Sequence, residues 1–183
     1  MNAYVNPLAG GEAVRSSARI EAFIRSTRFD RPTLVLDTEL VAQQFRALQA
    51  GLGRAHIHYA VKANPQREVI ETLVAEGSHF DAASRGEIEL CLGLGARPET
   101  ISFGNTIKKP ADIAFAYSVG ITMFAADSEM ELEKIAENAP GAEVYIRLLM
   151  GTTEADWPLS RKFGTMEGEV NGLLAYAQHL GLK

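Results

Sequence analysis

The chain has a single cysteine, Cys91. That excludes an internal disulfide and suits a reducing, cytoplasmic compartment. Leucines surround Cys91 on an expected helix, so it reads as a packed, inert thiol. No apolar run approaches the roughly 20 residues a membrane helix needs. The first ten residues have no basic segment followed by an apolar one, so no secretory signal is read there. Positive charge is scarce: 23 acidic residues face 18 basic ones, a formal net charge of −5, which argues against a nucleic-acid surface. A nucleotide-binding G-x-G-x-x-G is absent after every expected strand. The run Gly93-Leu94-Gly95-Ala96-Arg97 lacks its third glycine and follows a helix, so it reads as a helix terminator. His56 and His58 share a strand face, but without a third ligand they make a poor metal site, and no metal is expected. What is present is ordinary globular composition, 46% hydrophobic and 22% charged over 183 residues. That is enough for one domain with a proper core.

Helix and strand patterns alternate along the chain. Residues 1–36 read as an N-terminal extension ending in a helix over 18–28, followed by a leading strand at 33–36 after Arg31-Pro32. Asp37 or Thr38 can cap a helix with apolar positions Val41, Phe45, Leu48 and Leu52. Strands are expected over 57–63, 79–83, 101–105, 121–126 and 144–150. Helices are expected over 66–75, 85–93, from Pro110, from Ser128 to about Asn138, and over 167–180. Ser128-Glu129-Met130-Glu131 has the form of a capping box. A polar loop, 151–158, carries Trp157, which has no firm reading. The strands read as apolar on both sides. Repeated β-then-α units imply a parallel sheet with right-handed crossovers. An open doubly wound sheet and a (β/α) barrel both fit, and the missing glycine fingerprint favours the barrel. The fold class is therefore α/β, a partial (β/α)8 TIM barrel spanning residues 37–183. It has about five of the eight strands expected of the complete fold. The chain stops where another strand is due and looks cut off. Uncovered strand edges and an apolar inner face are expected to make it associate or aggregate.

In such a barrel, reactive groups sit at the C-terminal ends of strands. Lys62 ends the first barrel strand, Asp81 and Ser84 the second, Asn105 the third and Asp127 the fourth. Arg147 lies inside the fifth. Lys62 and Arg147 are charged residues in apolar runs, and a buried ammonium must be paired or have a function. Partial burial also favours the neutral amine that attacks carbonyls. A lysine, an acid and an arginine in one mouth suggest carbonyl chemistry on an anionic cofactor. Structural readings stand beside these. Lys62 could snorkel to the surface. Ser84-x-x-Glu87 is also a capping box, and Asp127 before Ser128 reads as a helix-start residue.

The run Tyr59-Ala60-Val61-Lys62-Ala63-Asn64-Pro65 resembles the lysine motif of the fold type III pyridoxal-phosphate decarboxylases. Residues 80–88 (Phe80-Asp81-Ala82-Ala83-Ser84-Arg85-Gly86-Glu87-Ile88), 101–109 and 124–132 resemble the next motifs of the ornithine decarboxylase branch. Leu159-Ser160-Arg161-Lys162-Phe163-Gly164 matches its short motif after a mobile loop. The resemblance runs in unbroken order from about Pro32 to Gly164.

It implies that Lys62 is the Schiff-base lysine for pyridoxal 5'-phosphate. Asp81 would lie near that lysine, Ala60 would line the cofactor ring, Arg147 would sit beside it, and Glu87 would belong to the same polar cluster. Lys162 would be a subunit contact in a homodimer. The implied reaction is decarboxylation of a basic amino acid, ornithine or lysine, to a diamine in polyamine biosynthesis. The family's ring-stacking histidine, phosphate loops, ring-nitrogen glutamate and C-terminal β-domain have no counterpart here. The chain alone is therefore expected to be inactive. The alternatives are a small pyridoxal-phosphate-binding barrel without decarboxylase activity, disfavoured by the motifs at 80–88 and 159–164, and a silent homologue acting through protein interaction.

Overall fold

The computed structural model describes residues 17–149 and 163–183. The start of the expected extension, the loop 151–158 with Trp157, and Lys162 lie outside the described residues.

Helix α1 (Ala18–Ser26) opens at Ser17, whose hydroxyl accepts the Ile20 N–H at 3.1 Å. Helix α2 (Thr38–Leu52) opens at Asp37, whose carboxylate accepts the Glu39 N–H at 3.2 Å and the Ser17 hydroxyl at 2.9 Å. One carboxylate thus satisfies an orphan donor of α2 and ties α1 to it. Between the two helices, 33–36 is not a strand: it joins no ladder of the sheet, and Leu34 is 75% exposed. Its β-type composition is not enough, because a strand needs a partner to satisfy its backbone.

From there strand and helix alternate: β1 (His58–Ala60), α3 (Arg67–Ala75), β2 (His79–Ala82), α4 (Arg85–Gly93), β3 (Ile101–Phe103), α5 (Pro110–Ser118), β4 (Met123–Ala126), α6 (Glu129–Asn138), β5 (Glu143–Ile146) and α7 (Val170–His179). The five strands are parallel and lie in the order β1-β2-β3-β4-β5. A doubly wound sheet would reverse direction partway; an unreversed order is barrel winding. Gly95, at φ 93°, ends α4 by letting the Ala96 N–H reach back to Cys91 O at 3.0 Å. This is the helix stop expected at Gly93–Gly95.

The strands are not apolar on both sides. Phe80, Ala82, Ile101, Phe103, Phe124 and Ala126 face the helices and are at most 2% exposed. They pack against Ile70, Ile88, Ile113, Leu132 and Ile135, also fully buried. Each large side chain here contributes about 1.5–3 kcal/mol of burial. The other face carries His58, Asp81, Ser102, Glu143 and Tyr145 among the apolar Ala60, Met123 and Ala125, so the inner face is mixed, with polar groups set in an apolar lining. The interior of this part-barrel is therefore a chemical surface, and the structural core lies between sheet and helices.

Helix α6 starts differently from expectation. The Ser128 side chain makes no capping bond. Glu131 turns inward instead, pairing with Lys108 Nζ at 2.9 Å, accepting the Lys108 N–H at 3.1 Å and pairing with Lys134. A buried ammonium needs a counter-charge more than a helix start needs its fourth cap.

Candidate active site

Residues joined in register on parallel strands share a face. Ala60 pairs with Asp81, Asp81 with Ser102, Ser102 with Met123, and Ala125 with Tyr145. His58 pairs with His79 one pleat lower. His58, Asp81, Ser102, Met123, Val144 and Tyr145 line a cleft of about 410 Å³.

Lys62 does not lie on a strand. β1 ends at Ala60, and Lys62 is the middle residue of a 3₁₀ turn, Val61–Ala63. Asn64-Pro65 forces the chain off the ladder. The turn is pinned on both sides of Lys62: Val61 is fully buried, and the Tyr59 hydroxyl donates to Asn64 O at 3.2 Å. Burial holds the Tyr59 phenol above its ordinary value against the opposing effect of that bond. Asn64 Oδ1 then accepts the Gln66 N–H at 3.1 Å and starts α3. The Lys62 side chain itself is exposed and makes no hydrogen bond or ion pair among the described residues. The result is a free primary amine on a fixed turn at the C-terminal end of β1.

Asp81 stands on the neighbouring strand. Its Oδ1 accepts the Ser102 hydroxyl at 3.3 Å, and it has no cationic partner among the described residues. Ala60, beside it, leaves room above the sheet. Arg147 follows β5 directly; its N–H donates to Ala126 O at 2.9 Å and its guanidinium lies 5.6 Å from the centre of the Phe163 ring. Glu87 is used differently. Its Oε2 accepts the Ala83 N–H at 2.7 Å while Ser84 accepts the Glu87 N–H at 3.3 Å. These two bonds hold the start of α4, the structural reading of the Ser84-x-x-Glu87 pattern.

Asp127 is not a helix cap. Its Oδ2 accepts the Gly164 N–H at 2.9 Å. Phe163-Gly164-Thr165 is thereby tied to the end of β4, and Thr165 bridges in parallel to Leu148 beyond β5. Asn105 donates to Ala83 O at 3.3 Å and so links the loops after β2 and β3.

Three further residues complete the site, although the sequence gives none of them a role. Ser102, His58 and Tyr145 surround Asp81. The Ser102 hydroxyl lies 3.4 Å from His58 Nδ1, and the Tyr145 phenol lies beside Ser102. Burial, then the Asp81 charge, pushes that phenol up. The signal that could have found them is their alternation with core residues along each strand. His56 stacks on His79 and His58 is tilted against it, with ring centres 4.4 and 4.9 Å from it. Burial first, then His58, His56 and Arg97, lower His79. No three-ligand metal cluster occurs among the described residues, and no helix there is long and apolar enough to cross a membrane.

The Lys62 amine after β1, the Asp81 carboxylate beside Ala60 and the Arg147 guanidinium after β5 lie at the C-terminal end of one sheet, a set suited to an anionic aldehyde: the amine can condense with it and the guanidinium can face its charge. Comparison with known proteins points the same way. Residues 38–183 match the profile described as pyridoxal-dependent decarboxylase, pyridoxal binding domain. The chain is 34% identical over 155 residues to a lysine/ornithine decarboxylase of Selenomonas ruminantium, covering 85% of this chain and 39% of that protein. It is 39% identical over 149 residues to a chloroplastic ornithine decarboxylase of Nicotiana glauca, covering 81% of this chain and 34% of that one. The crystal structure of a lysine/ornithine decarboxylase from Vibrio vulnificus, complexed with putrescine, superposes with a TM-score of 0.77 at 33% identity, over 90% of this chain and 42% of that one. The chain thus spans about two fifths or less of the length of these relatives.

Proposed function

The chain belongs to the family of pyridoxal-dependent decarboxylases through its pyridoxal-binding domain, and from that premise we propose that Lys62 carries pyridoxal 5'-phosphate. In the whole protein the reaction is decarboxylation of a basic amino acid, ornithine or lysine, to a diamine and carbon dioxide, as in polyamine biosynthesis. The observation that supports it best is the unpaired Lys62 amine on its pinned turn. When bound, the cofactor supplies an electron sink for the pair released as the α-carboxylate leaves.

The protein's residues do the rest. Lys62 is the point of covalent attachment. Asp81 supplies negative charge on the adjacent strand and favours a proton on nitrogen nearby. Arg147 offers a guanidinium to an anionic group. Ala60 leaves the space an aromatic ring needs above the sheet. Glu87, with one oxygen engaged at Ala83, has a second free to join the polar rim. The whole protein works as a homodimer in the cytoplasm; the cytoplasmic part of that reading is supported by Cys91, which is buried and unpaired in this chain.

Reduction with borohydride in the presence of pyridoxal 5'-phosphate, followed by peptide mass mapping, tests the assignment. The cofactor's mass is expected on Lys62, and its absorbance is expected to disappear in Lys62→Ala. Trapping on a different lysine, or unchanged absorbance in Lys62→Ala, overturns it. Diamine release from ornithine or lysine, assayed on the full-length gene product, tests the reaction.

A further inference from the structure

Asp81 occupies a built seat. On the β3 side the seat is open only because residue 104 is glycine. A β-carbon at Gly104 would stand 2.6 Å from the Asp81 carboxyl carbon and 2.9 Å from Oδ2, and closer still to Oδ1. Below the carboxylate is Ser102, 3% exposed, whose hydroxyl is 3.3 Å from Asp81 Oδ1 and 3.4 Å from both His58 Nδ1 and Phe80 O.

A hydroxyl has one proton to donate and can accept two. The Asp81 carboxylate and the Phe80 carbonyl both only accept, so they compete for the one Ser102 proton, and His58 Nδ1 is the third polar atom within reach of that hydroxyl. Tyr145, from β5, lies beside Ser102 within the field of Asp81 and completes the surround. Three strands besides Asp81's own, β1, β3 and β5, therefore supply polar groups around one side chain. Lys62 is not among its contacts.

We infer that Gly104, Ser102, His58 and Tyr145 are positioning residues that hold the Asp81 carboxylate over Gly104 and away from the Lys62 amine, leaving that amine free to react. The consequence for catalysis rests on the reading of Lys62 given above; the seat itself does not. Filling the Gly104 position displaces only the end of a flexible side chain, so the fold is retained. The displaced carboxylate keeps its other staggered rotamers. With the β3 side filled, the other in-register neighbour of Asp81 is Ala60 on β1, two residues before Lys62. A negative charge brought nearer an amine favours its protonated form.

The test uses the purified chain without cofactor. Labelling of Lys62 by an amine-reactive reagent at neutral pH is followed by mass spectrometry in the parent, Gly104→Ala and Ser102→Ala. A decrease of about threefold in rate is expected in both variants. The decrease is expected to vanish when Asp81→Asn is added, because the effect passes through that carboxylate. Unchanged labelling in both single variants, or a decrease that persists with Asp81→Asn, overturns the inference. Should Gly104→Ala not fold, Ser102→Ala decides alone. Because no cofactor enters, a failure here is separable from a failure of the borohydride mapping.

Discussion

Replacing Glu131 with leucine removes the carboxylate that two lysines share. Glu131 is 3% exposed and Lys108 is 4% exposed. Lys108 Nζ would keep its bonds to Ala125 O (2.6 Å) and Asn105 O (2.8 Å). Those dipoles do not replace a counter-ion. Burial already pushes the Lys108 ammonium down, and Glu131 is the main group opposing that shift. Breaking a buried pair from one side costs about 3–5 kcal/mol. In a chain of this size, that corresponds to a melting point lower by roughly 6–20 °C. Lys108→Met is expected to cost less, about 1–3 kcal/mol, from the Asn105 and Ala125 carbonyls left short of a partner. Glu131 then keeps Lys134, so no charge is orphaned. Thermal and urea denaturation followed by far-UV circular dichroism would measure both. The reasoning fails if Glu131→Leu melts within about 2 °C of the parent, or if Lys108→Met proves the more damaging of the two.

Burial pushes the Cys91 thiol from 9.0 up to about 12, so a disulfide reagent at pH 8 should react only as fast as the chain opens; rapid labelling of the native chain would contradict this. The folded state holds that proton more tightly than the unfolded one. The contribution is therefore fully present below pH 9 and lost as pH rises from there through about 12, and Cys91→Val should flatten the alkaline limb of the stability profile. Asp37→Ala should cost about 1 kcal/mol as a lost cap. It should also speed amide exchange in α1, because Asp37 is the acceptor for Ser17; unchanged exchange would show that α1 is held by something else.

Local signals in the sequence predicted much of this fold. Asp37 before an apolar-periodic run, Pro110 at a first turn and Gly95 after α4 each act on their own backbone, so each was legible. Glu131 was not. Its pattern with Ser128 is that of a cap, but Lys108, 23 residues away, outbids the helix start. The leading strand at 33–36 failed for the same reason in reverse: composition proposes a strand and only a partner makes one. At the site, the motifs single out Lys62, Ala60 and Asp81; Ser102 lies within the 101–109 motif without a role of its own, and His58 and Tyr145 carry none. Their convergence depends on inter-strand register, which no single strand encodes. Even Lys62 was displaced by a small but chemical step, from strand end to 3₁₀ turn, because Asn64-Pro65 and the Tyr59 hydroxyl bend the chain earlier than residue composition indicates.

The alternation across the sheet has an evolutionary reading. Along β2 the order is His79, Phe80, Asp81, Ala82, so positions that hold the helices and positions that face the cleft are immediate neighbours in the gene. Drift on one pleat can retune reactivity while the other keeps the protein folded. A saturation library over β1–β5, scored separately for abundance and for cofactor capture, should give two tolerance profiles of period two, out of phase by one residue. A slip of one residue in any strand would exchange the two inheritances at once.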